Sequence, residues 1–132
     1  MTPLKSIVPV AGLAKPRGVW STVTVAQPGR LVFVSGLLAK GEDGRIVGPG
    51  DIAAQTEKVC QNLKTALAAA GAALEDVVRV DVYCKDMAGF GDIHAVRARH
   101  FPKDPPASTM VQVTAFTDPQ ALIEMNAIAV VR

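Results

Sequence analysis

Cysteine, histidine and aromatic residues are scarce in this chain, and each shortage removes a class of function. Two cysteines and two histidines are spread over 132 residues. Cys60 and Cys84 show neither a CxxC pair nor metal-ligand spacing. One falls in a helix-like run and the other in a strand-like run, so both read as packed free thiols of a reducing compartment. His94 and His100 point in different directions on a helix, and no second cluster of cysteines or carboxylates completes a ligand set, so no metal site is expected. Aromatic residues make up 5% of the chain, and 14 basic against 12 acidic side chains leave a net charge of +2. The charges are scattered singly. Neither the basic face nor the stacking platform of a nucleic-acid binder is present.

No apolar run is long enough for a membrane span. The stretch "KSIVPVAGLAK" is short and broken by Pro9, so it reads as ordered mature chain rather than a signal peptide, and the cytoplasm is the expected location. "VSGL" lacks the spacing of a serine nucleophile elbow. "GEDGR" and "GPGD" lack that of a phosphate cradle.

What the chain does have is apolar content, at 49%, with a positive mean hydropathy. Its length suits one domain, residues 1–132, with a core that needs no metal or disulfide. So much apolar surface in a small chain implies burial between subunits.

Periodicity divides the chain into short elements. "VWSTVTVAQ" (19–27) and "LVFVSGLLA" (31–39) read as strands around the turn "QPGR". The near-continuous apolar run of the second predicts burial on both faces. A Gly-rich loop (40–50) follows, with room for a brief strand at Arg45–Val47. Asp51 can cap a helix in which Ile52, Thr56, Val59, Leu63, Leu67 and Ala70 recur at helical spacing, and Gly71 can stop it. "EDVVRVDVYCKD" (75–86) alternates, with Val78, Val80, Val82 and Cys84 on one face and Arg79, Asp81 and Tyr83 on the other. "GFGDIHAVRARHF" (89–101) gives a second helix, stopped by the prolines of "KDPPAS". Strands at 108–116 and 121–131 complete an α+β domain of order ββ(β)αβαββ, a mixed sheet with both helices on one face. The opposite face then needs a cover, which another subunit can provide.

Few residues carry chemistry. Glu124 lies in the apolar strand "LIEMNAIAV", with Asn126 on the same face. An ionised carboxylate there is either satisfied by a neighbouring donor at an edge or interface, or set in a cleft to orient water or accept a proton.

"VSG", the Q-x(6)-N helix at Gln55–Asn62, "AAG", the D-V-V-x-V strand, "KDM" followed by Phe90, and the terminal "IE…AIAV" occur together over essentially the whole chain. As a set they carry a resemblance to the Rid (YjgF-type, reactive-intermediate deaminase) family. The resemblance implies a chorismate-mutase-like fold and a homotrimer with three clefts between subunits. In the deaminating branch of the family, those clefts hydrolyse imines and enamines to a carbonyl compound and ammonia, clearing reactive metabolites without a cofactor. An arginine fork clamps the substrate carboxylate, and a glutamate positions water.

The resemblance carries the glutamate onto Glu124 and the serine of the "SG" pair onto Ser35. Trp20 stands where a tyrosine is usual, His94 where an asparagine is usual, and Met110 at a small thiol-bearing position. The arginine is replaced, because "P-A-S-T" puts Ser108 in its place. Losing a charge-assisted contact implies roughly ten- to hundred-fold weaker carboxylate binding. Arg97, one helical turn after His94, and Arg17, three residues before Trp20, are the cations that could substitute. Otherwise both are solvated surface arginines.

Three functions follow. One is a hydrolase for a small imine or enamine, with Glu124 orienting water, His94 moving protons, and Ser35, Trp20, Ser108, Met110, Arg97 and Arg17 around the substrate. A second is a ligand-binding trimer without turnover. The third, endoribonuclease or translation inhibitor, is disfavoured by charge and composition. No membrane partner is expected.

Overall fold

The computed structural model describes residues 2–132. Six strands and two helices follow the order βββαβαββ: β1 (Lys5–Val8), β2 (Val23–Ala26), β3 (Arg30–Leu37), α1 (Ile52–Ala69), β4 (Val77–Cys84), α2 (Phe90–His100), β5 (Ala107–Gln112) and β6 (Ile123–Val131). The third early strand is therefore Lys5–Val8, paired antiparallel with β2 in a two-stranded sheet of its own. Arg45–Val47 forms no strand, and only an isolated bridge joins Lys40 to Ile46. Glycines with positive φ at Gly44 and Gly48 turn the chain around that bridge too tightly for a longer ladder.

The main sheet is mixed, in the order β3-β6-β4-β5, with β4 and β5 parallel and the other pairs antiparallel. β4 and β5 are joined through α2, the crossover that parallel neighbours require. α1 begins where Asp51 accepts a hydrogen bond from the Ala54 amide, and it buries Thr56, Val59, Leu63 and Leu67 against the sheet. Gly71, at φ 76°, ends it. α2 buries Ile93, Val96 and Arg97.

Gln55 and Asn62 tie α1 to the loops around it. Gln55 is fully buried; its amide nitrogen donates to the Gly48 and Gln120 carbonyls, and its oxygen accepts from the Leu122 amide. Asn62 donates to the Leu38 and Lys40 carbonyls. The Q-x(6)-N spacing thus fastens two loops to one helix.

Two irregularities revise the expected faces. A register shift between Val77 and Arg79 buries Val77 and releases Val78 from the core face, while Val80, Val82 and Cys84 stay inside. β3 is an edge strand rather than a strand buried on both sides. Val32 packs into the core, but Leu31 is 52% and Phe33 70% exposed on the far face of the sheet. That face, opposite the helices, also carries Arg79, Asp81 and Tyr83 of β4, Val111 of β5, and Glu124 and Asn126 of β6.

Candidate functional site

The candidate residues separate into two groups. Glu124 and Ser35 belong to the open face. β3 bulges between Val34 and Leu37, so Ser35 and Gly36 together oppose Asn126. Glu124 sits one alternation further along, across from Tyr83. A Cβ at Gly36 would collide with Glu124 Oε2, so only glycine lets the carboxylate lie against the backbone of the bulge. Glu124 is half-buried and lines two open cavities. One of about 350 Å³ has Tyr83, Phe116 and Thr117 in its walls. The other, about 840 Å³, is bounded by Gly36, Lys40, Lys58 and Asn62.

The second group gathers where α2 meets β5 and the segment before β2. Strand structure begins at Val23 rather than at residue 19, which leaves Val19, Trp20 and Ser21 irregular. Ser21 fastens this segment to the prolines ahead of β5, donating its amide to the Pro106 carbonyl and its hydroxyl to the Pro105 carbonyl. Trp20 thereby meets His94 edge to face at 6.0 Å, and Phe90 stacks on the imidazole at 3.9 Å. Gly18 lies so close that a Cβ would strike both the Trp20 and His94 rings.

Both ring nitrogens of His94 are buried without a hydrogen-bond partner. Burial, and then the nearby charge of Arg97, push its pKa below the ordinary 6.5. The imidazole is therefore neutral at physiological pH.

Arg97 is the least expected member, at 1% exposed. Its Nη2 donates to the Val19 carbonyl at 3.1 Å and to the Ser108 hydroxyl at 3.1 Å, while its buried Nε has no partner. Burial pulls its pKa down to about 10, so it remains charged at neutral pH. Ser108 reaches it because β5 pairs with β4 in a register that sets Ser108 beside buried Val80. A guanidinium from the helix thus stands behind Ser108.

Met110, next but one on that strand, packs against the core. Arg17 is exposed and makes no hydrogen bond or ion pair among the described residues. The two cavities beside Glu124 include none of Trp20, His94, Arg97 or Ser108. Sequence reasoning missed Phe90, although its spacing four residues before His94 was available, and Tyr83, whose place across from Glu124 only the pairing of β4 with β6 shows.

A family model described as Endoribonuclease L-PSP matches residues 3–131. The chain belongs to the Rid family. Among its curated relatives, the 3-aminoacrylate deaminase RutC of Acinetobacter baylyi is 36% identical over 125 residues, covering 95% of this chain and 97% of that protein. A RutC family protein of Pyrococcus abyssi is 38% identical over 126 residues, covering 95% and 96%. Among solved structures, the Rid family protein YyfB of Yersinia pestis superposes with a TM-score of 0.90 at 30% identity, covering 98% of this chain and all of that one.

Proposed function

We propose that this Rid-family chain hydrolyses a small imine or enamine to a carbonyl compound and ammonia, in clefts that neighbouring copies complete as a homotrimer. The observation that carries the reading is the separation of the candidate residues. Glu124 and Ser35 lie on the open sheet face, and Trp20, His94, Arg97 and Ser108 lie beside α2 and β5. In this reading each group is half a site, and a second copy resting on the open face, where Leu31, Phe33 and Val111 are exposed, can bring one half to the other. The likeness to a 3-aminoacrylate deaminase supports the same chemistry.

In this mechanism Glu124 orients a water molecule and takes its proton as the oxygen adds to the C=N carbon. The proton passes to the nitrogen, and collapse of the carbinolamine releases ammonia. The neutral ring of His94 and Trp20 provide flat walls beside the substrate.

The test is the decay of freshly generated imines, with and without a carboxylate, followed as release of carbonyl product. Glu124→Gln should slow turnover on the order of a hundred-fold or more, the scale of general base catalysis. Failure of the wild-type protein to accelerate any imine would refute catalysis. Ligand binding without turnover is the second reading, favoured by the withdrawal of Arg97 behind Ser108.

A further inference from the structure

The buried guanidinium changes what the cleft can recognise. Arg97 is 1% exposed and its Nη2 already donates to two oxygens, so the Nη2 side of its fork is closed to a carboxylate. It nevertheless fixes the role of Ser108. The serine oxygen accepts from Arg97, and no acceptor among the described residues takes the serine's own proton. Ser108 is only half-buried, so that proton is available to a bound molecule. A hydroxyl that accepts from a charged donor is itself a stronger donor.

We propose that Ser108 is the hydrogen-bond donor of the cleft, with Arg97 its positioning residue, and that the site takes neutral imines or enamines bearing a carbonyl acceptor in preference to 2-imino carboxylates. A single hydroxyl satisfies an amide or ester carbonyl. It cannot satisfy a carboxylate, which offers about four acceptor sites and brings a charge that is costly to desolvate. The surroundings agree, because Trp20 and Phe90 lie against an imidazole that is neutral and unpaired. This inference rests on the cleft reading above but does not need turnover.

The protein's single tryptophan, Trp20, belongs to this group, so its fluorescence reports binding directly. The probes are pyruvamide and pyruvate, product-like carbonyl compounds that differ in the group presented to Ser108. Pyruvamide should bind the wild-type protein at least tenfold more tightly than pyruvate. Ser108→Thr, which keeps the hydroxyl, should preserve that ratio. Ser108→Ala should weaken pyruvamide at least fivefold with less effect on pyruvate, and Ser108→Arg should reverse the preference. Arg97→Lys should narrow the ratio, a change that structural support alone would not produce.

Equal or tighter pyruvate binding by the wild-type protein, or no binding of either probe, would overturn the proposal. So would an unchanged ratio in Ser108→Ala; if that variant does not fold, the wild-type and Ser108→Thr ratios decide. Binding with this preference but no imine hydrolysis would leave the proposal standing and remove the hydrolase reading. Hydrolysis that favours carboxylates would do the opposite.

Discussion

Phe33→Asp should dissolve the proposed homotrimer while leaving the chain folded. Phe33 is 70% exposed on the open face of the sheet, and Leu31 and Val111, 52% and 41% exposed, share that face. Fully burying a phenylalanine side chain is worth up to about 3 kcal/mol, so covering the exposed part of Phe33 contributes about 2 kcal/mol per copy. An aspartate forfeits that gain and adds a desolvation cost of about 2 kcal/mol if it finds no partner. The combined loss, about 4 kcal/mol per copy, corresponds to roughly a thousandfold in association. Because Phe33 lies outside the chain's own core, the variant should retain its circular dichroism spectrum. Sedimentation velocity at micromolar concentration should give three times the 13.8 kDa chain mass for the wild type and the chain mass alone for the variant. Imine turnover should fall together with assembly, since Glu124 shares the face. A wild-type monomer, or a variant of unchanged mass, would refute the argument.

Two further outcomes test the interior. Gln55→Leu strands two carbonyls and one amide near a buried position. It should cost about 3 kcal/mol, read as a fall in melting temperature of roughly 10 °C. His94 is held neutral in the fold, with a pKa below 6.5, so as pH falls the unfolded chain takes up its proton first. Its contribution to stability is complete above about pH 6.5 and is lost as pH drops through the lower folded value. Urea midpoints between pH 7.5 and 5 should show that decline in the wild type and a flatter line in His94→Phe; parallel lines would contradict it. Glu57, held below its ordinary 4.5 chiefly by a hydrogen bond with His100, adds its own loss only at more acid pH.

Local rules settled a large part of this protein from sequence alone. α1 was legible from end to end because its cap, its periodicity and its stop are all written within twenty-odd residues, and backbone hydrogen bonds in a helix are local. The alternation of β4 was equally plain, apart from the bulge that moved Val77 inward. That His94 and Arg97 share one side of a helix follows from spacing. Strand order is different, because it depends on which partners arrive. β3 carries apolar residues on both faces, yet it lies at the sheet edge with Phe33 in the open. β1 is four residues long and exists through its pairing with β2. The depth of Arg97 was likewise a tertiary decision. Arginine is ordinarily exposed, and here it is buried where the carbonyl of Val19, far away in sequence, and the hydroxyl of Ser108 on the next strand both accept from its Nη2. Residue types and their periods set most of the elements, and a set of short motifs carried the resemblance to the family. Long-range pairing decided that the cation stands behind the serine, and that the two halves of the candidate site face different ways.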